Sequence, residues 1–138
     1  MKIEYLHLVP NSENPKIASS EPFRAIVVIE EPVSVEWQHE LSKDLVNAGC
    51  LYMMAWGIKA SSWDDSFDYA NLEAFNYGDI PETKFVMTTW HDNESLGEVF
   101  DYSKRLALHP AVDLNKTVIM HIAAKSKENE FLSAYTSA

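Results

Sequence analysis

Apolar runs of two kinds alternate along the chain. Arg24-Ala-Ile-Val-Val-Ile-Glu30 is a continuous β-branched stretch between Pro22 and Pro32, the pattern of a strand buried on both faces. Cys50 to Trp56, ended by Gly57, is a second such run; Lys84-Phe-Val-Met-Thr-Thr-Trp90 is a third and Lys116-Thr-Val-Ile-Met-His-Ile122 a fourth. Ile3 to Val9 reads as an additional short strand stopped by Pro10, and Asn11 to Pro22, rich in Ser, Asn and Pro, as a loop.

Between these runs the period changes to that of a helix. Ser34 offers an N-cap, Glu36 suits the helix dipole, Trp37, Leu41, Leu45 and Ala48 share a face, and Gly49 closes the segment. Ser62 and Asp65 form a capping-box pair on a second helix with the face Trp63, Phe67, Ala70, Asn71 and Ala74, broken by Gly78 and Pro81. Ser95 and Glu98 open a third, with Leu96, Val99, Phe100, Leu106 and Ala107 apolar before Pro110. Residues 125 to 138 are polar except for Phe131, Leu132 and Tyr135, which predicts a short terminal helix or a frayed tail.

Buried strands alternating with amphipathic helices predict an α/β fold, a three-layer sandwich with a mostly parallel sheet of four to five strands and helices on both faces. A flavodoxin-like strand order is the default. The expected division is an N-terminal strand and loop over 1–22, the α/β domain over 23–124, and the tail or short helix over 125–138. At 138 residues and 46% apolar composition, one core is expected.

Charge narrows the partners. The formal net charge is −10, and between Asp64 and Asp101 ten carboxylates face one lysine, Lys84. Such a field draws cations and repels phosphate, which argues against nucleic acid as a partner. No apolar run approaches the roughly 20 residues of a membrane span. Residues 1 to 20 lack a signal-peptide pattern, and the lone Cys50 makes no internal disulfide, so a cytoplasmic location is expected.

In an open parallel sheet, ligands bind beyond the carboxyl ends of the strands. Those ends carry Glu30, Glu31, Trp56, Asp64, Asp65, Trp90, His91, Asp92, Glu94 and His121. No spacing among them defines a metal motif, and helix starts attract carboxylates for dipole reasons alone. The turn Glu30-Glu-Pro-Val-Ser34 has no glycine for a phosphate, and neither a Gly-x-Gly-x-x-Gly nor a Walker loop occurs, so no cofactor is expected. Cys50 begins its strand and reads as core, and strand alternation points Thr88 and Thr89 to opposite faces. His121 reads as a hydrogen-bonded core imidazole, His109 as a complement to a helix dipole, and His39 as solvated. His91 alone combines a strand-end position with polar neighbours. Trp37 reads as core, whereas Trp56, Trp63 and Trp90 gather at the strand ends, either as an aromatic rim or as the closure of the core.

The segments Gly49-Cys-Leu-Tyr-Met-Met-Ala-Trp-Gly57, Ser62-Trp-Asp-Asp-Ser66 and Val86-Met-Thr-Thr-Trp-His91 resemble those of an uncharacterised bacterial α/β domain family, a domain of unknown function. The similarity covers about residues 23 to 123 and implies a single compact domain without assigning an activity or a catalytic residue. In size, acidity and absence of a catalytic signature, the chain is also similar to immunity proteins of bacterial toxin systems.

Two functions follow as expectations. The first is an acidic protein-binding domain that blocks the active site of a basic partner such as a toxin domain, with Asp64, Asp65, Asp68, Asp92 and Glu94 steering, Trp63, Tyr69 and Trp90 anchoring, and His91 within the same rim. The second is a small enzyme or ligand binder, in its concrete form a hydrolase using a metal or a Glu/His base, with a pocket between Glu30, Trp56, Asp64 and His91. The oligomeric state is not encoded in any of these patterns.

Overall fold

The computed structural model describes residues 2–14, 17 and 21–138. Its strands are β1 (Lys2–Leu8), β2 (Phe23–Ile29), β3 (Cys50–Gly57), β4 (Met87–Trp90) and β5 (Lys116–Ile122), and its helices are α1 (Val35–Ala48), α2 (Ala60–Ala74), α3 (Leu96–Arg105) and α4 (Glu128–Ser137). All strand pairs are parallel, in the order β1-β5-β2-β3-β4. The three-layer α/β sandwich expected from the apolar pattern is the fold.

The strand order differs from the flavodoxin-like 2-1-3-4-5. β1 and β2 are separated by one strand position, and β5 fills it, pairing Leu6 with Met120 on one side and Met120 with Val27 on the other. From β2 the chain steps through β3 to β4 with α1 and α2 on one face. It then returns to β5 in the opposite direction, so α3 must cover the other face if the crossover hand is kept. Phe23, Ala25, Val27, Ile29, Met53 and Ala55 accordingly pack against Trp37, Leu41, Leu45, Trp63 and Phe67. Ile26, Val28, Met54 and Ile119 pack against Val99, Phe100, Phe131 and Tyr135. Full burial of one such aliphatic or Phe side chain is worth about 1.5–3 kcal/mol.

Local chemistry sets the boundaries. Ser34 Oγ accepts the Trp37 N–H at 3.2 Å, and Gly49, at φ +109°, ends α1 by donating to the Leu45 and Val46 carbonyls. The capping box of α3 is present, with Glu98 N donating to Ser95 Oγ and Ser95 N to Glu98 Oε2. The capping box expected at Ser62 and Asp65 is absent. Gly57 turns off β3 at φ +115°, Ile58 N donates to Ile29 O at 2.9 Å, and α2 starts at Ala60, so Ser62 lies inside the helix and its hydroxyl donates back to Lys59 O. A Cβ on Gly57 would lie 2.2 Å from Ile29 O. β4 begins three residues later than its apolar run, because Asn71 of α2 donates to Lys84 O and accepts from Val86 N.

Both terminal segments belong to the layers. β1 pairs with β5 over its whole length, and α4 buries Phe131 and Tyr135.

Candidate functional site

The order of strands reverses direction between β2 and β5, whose following helices leave to opposite faces. A crevice at the carboxyl ends is expected at this point, and a polar network occupies it. Tyr5 Oη accepts the Lys127 N–H at 2.9 Å and donates to His121 Nδ1 at 2.6 Å, while His121 Nε2 donates to Glu30 Oε1. Lys127 Nζ stands 3.8 Å from the second oxygen of Glu30. His121 is fully buried, with its ring 4.2 Å from that of Phe131, and His7 donates to Ala123 O beside it. Burial pushes the His121 imidazole below its ordinary value, and the Glu30 carboxylate acts the other way without overcoming it. His121 is therefore a neutral connector between a phenol and a carboxylate.

His91 forms a second network on the same face. Its Nδ1 lies 3.1 Å from both Glu94 oxygens and its Nε2 2.9 Å from Thr89 Oγ1. With a carboxylate at Nδ1, the remaining nitrogen accepts the Thr89 hydroxyl proton. The ring meets Tyr102 edge-on at 4.8 Å, Tyr102 and Tyr52 share a 2.7 Å hydrogen bond, and Trp56 Nε1 donates to Glu94 O. β2 and β3 lie between this network and His121, about 14 Å at ~4.8 Å per strand step.

The third feature covers α2 and the outer edge of the sheet. Asp68 Oδ1 accepts from Thr88 Oγ1 at 3.2 Å. Burial, then the charge of Asp64, push the Asp68 carboxyl above its ordinary value, against the Thr88 hydrogen bond. Among the described residues, Asp64, Asp65, Asp68 and Asp92 form no ion pair, whereas Glu73 meets His39 and Lys43, Asp101 meets Arg105, and Glu4 meets Lys116. Trp90 is 46% exposed at the end of β4. Tyr69 is 50% exposed and stacks between His39 and Tyr77, whose hydroxyl it binds.

Space is distributed differently. A groove of about 620 Å³ opens at the amino ends of β3 and β4, lined by Pro22, Asn47, Cys50, Phe75, Thr83 and Lys84, far from the strand ends that carry these networks. At the carboxyl ends, the cavity beside Trp63, Ile29 and Lys59 holds about 30 Å³, room for one water. Among the described residues no group of three or more His, Cys, Asp or Glu side chains could hold a metal ion. No helix among them is long and apolar enough to cross a membrane.

Residues 3–138 match the family described as Domain of unknown function (DUF7684). The chain belongs to this family. No curated protein and no solved structure matches it. The family domain extends beyond the 23–123 span of the resemblance and takes in both β1 and α4.

The placement of the expected site residues is mixed. Asp64, Asp65, Asp68, Tyr69 and Trp90 lie on α2 and β4, and Asp92 follows β4 on the surface. Trp63 is 1% exposed in the core beneath α2 and cannot anchor a partner. The rim of Trp56, Trp63 and Trp90 does not form, since Trp63 and Trp56 belong to opposite faces of the sheet. The pocket of Glu30, Trp56, Asp64 and His91 does not form either: Glu30 joins His121, His91 joins Glu94, and Asp64 sits on α2 across the sheet. His109 lies beyond the end of α3, where Nδ1 accepts the Ala111 and Val112 N–H groups and Nε2 donates to Phe85 O, so it ties loops rather than a helix end. Tyr5, His7 and Lys127 carry no such expectation; the parallel pairing of β1 with β5 brings Tyr5 and His7 to His121, and Lys127 reaches Glu30 from the segment after β5.

Proposed function

We propose that this domain is a protein-binding module that captures a basic partner on the acidic, aromatic surface of α2 and β4, as an immunity protein would cover a toxin's active site. The observation that carries the reading is that Asp64, Asp65 and Asp68, which form no ion pair among the described residues, meet β4 at Thr88, two positions before the exposed indole of Trp90. Burial and then the charge of Asp64 raise the Asp68 carboxyl, and an arriving cation offsets the second of these. Asp92, on the surface after β4, extends the field and speeds encounter, while Glu94 is held by His91 on the other face of the sheet. Trp90 and Tyr69 supply ring area of the kind that dominates binding energies. Trp63 has no part in it.

Coexpression with the product of the neighbouring gene is the test. A basic toxin domain should lose its activity in the presence of this chain, and Asp64→Lys with Asp92→Lys should restore that activity while leaving thermal unfolding unchanged. Inhibition that persists through both reversals and through added salt would refute the electrostatic surface.

A second reading rests on the switch-point network. There Glu30 is held by buried His121 and keeps one oxygen toward Lys127, so a small-molecule site would use Glu30 as its base, with His121 and Tyr5 orienting it. A hydrolysis screen comparing the parent protein with Glu30→Gln separates the readings, because that substitution leaves the α2 surface untouched.

A further inference from the structure

We propose that the outer edge of β4 is a docking strand, which an extended basic segment of the partner joins as a sixth strand of the sheet. This deepens the protein-binding reading and rests on it.

The ladder geometry leaves the edge open. His91 N donates to Ala55 O, so Met87, Thr89 and His91 direct their backbone groups to β3. Alternation along a parallel strand then turns the N–H and C=O groups of Thr88 and Trp90 outward, and among the described residues no element pairs with them. Just before β4 the Phe85 carbonyl is closed by His109 and the Val86 N–H by Asn71 Oδ1, so the open stretch starts beyond the Val86 amide. An added strand gains its affinity from such main-chain groups and its specificity from alternate side chains.

The two edges of the sheet are not equivalent. β1 carries Lys2 and Glu4, paired with Glu21 and Lys116, a charged and neutralised edge of the type that resists strand addition. β4 reads Met-Thr-Thr-Trp, without a charge. Its Thr88 side turns toward α2, where Asp68 accepts the Thr88 hydroxyl and where Asp64 and Asp65 form no ion pair among the described residues.

Charge chooses the occupant. Every second side chain of an added strand would lie on the α2 side of the sheet, the side of Asp68 and Trp90, and Arg or Lys there meets both a carboxylate and the indole face. The intervening side chains meet Met87 and Thr89 and need no charge. A second copy of this chain brings the same uncharged strand and the same carboxylates, so edge-to-edge self-pairing is opposed by repulsion.

The probe is a synthetic peptide alternating arginine with valine, compared with two versions N-methylated at either set of alternate backbone amides. The parent peptide is expected to quench or shift Trp90 fluorescence, to slow amide exchange at Thr88 and Trp90, and to bind at least about tenfold more tightly than the N-methylated version that blocks the paired edge. Asp64→Lys with Asp68→Lys should weaken it by a similar factor, and the complex should hold one copy of the domain by light scattering. Equal binding of all three peptides, or protection at β1 instead of β4, overturns strand docking. Under either outcome, salt-sensitive binding of a folded basic protein would leave the acidic-surface reading standing. If neither the peptides nor a folded basic protein binds at low salt, both fall together.

Discussion

The Thr88 hydroxyl donates to Asp68 Oδ1 across 3.2 Å, tying the outer face of α2 to the last strand of the sheet. That bond holds a carboxylate where its neighbours disfavour it. Burial and Asp64 raise the Asp68 pKa, so between its ordinary and its raised value the native state binds more protons than the unfolded chain. Stability therefore falls as pH rises through that window and stays lowered above it. Asp68→Asn keeps an acceptor for Thr88 and removes the charge. It should raise the unfolding midpoint at neutral pH and leave it nearly unchanged well below the carboxylate range, while weakening capture of a basic partner. Urea titrations at the two pH values check this; a less stable variant at neutral pH would show that Asp68 is not crowded.

The two tryptophans nearest this surface should behave oppositely. Trp63 fills the core between α2 and the sheet, and Trp63→Ala is expected to cost about 3–5 kcal/mol. Trp90→Ala removes a half-exposed ring and should change stability by about 0.5 kcal/mol or little more. Equilibrium unfolding of both variants measures the contrast, and a large loss at Trp90 would mean that its ring supports the fold rather than a partner.

His121 gives the fold a pH dependence of the opposite sign from Asp68. Its native value lies below the ordinary histidine value because the ring is buried, while Tyr5, Glu30, His7 and Lys127 are the polar and charged groups around it. The unfolded chain takes up a proton first on acidification, so stability is complete above the ordinary value and declines as pH falls through it toward the native value. His121→Gln should flatten this decline in a series of denaturation midpoints. An unchanged slope would assign it to another histidine.

Cys50 is buried at the start of β3, and its thiol is pushed up to about 12, chiefly by burial. A disulfide reagent should leave it unmodified in the native protein and label it at the rate of a free thiol in denaturant. Rapid native labelling would mean that the groove beside it opens to the sulfur.

Much of this architecture is legible in the chain because burial on both faces writes β2, β3 and β5 as unbroken apolar runs and because Ser34, Gly49, Ser95 and Glu98 mark helix ends locally. The start of α2 is less legible: Ser62 and Asp65 have capping chemistry, but the tether of Ile58 to Ile29, 29 positions apart, begins the helix earlier. For Trp63 the signal was present. It shares a helical face with Phe67 and Ala70, and that stripe, rather than nearness to a strand end, decides its burial. The Tyr5–His121–Glu30 network had no local signal, since it depends on which strand enters between β1 and β2.

That insertion also constrains how the protein is made. Tyr5 waits for Ile119 as its neighbour in the sheet, and β2 waits for the same strand on its left side. A growing chain that has emerged only through α3 therefore holds β1 without its partner and leaves a strand-wide gap beside the most apolar strand of the core. Closing that gap brings together segments 114 positions apart, Tyr5 and Ile119, a contact pattern associated with slow folding. Until it closes, the nascent protein presents two receptive edges, and chaperone binding during synthesis should concentrate on β2.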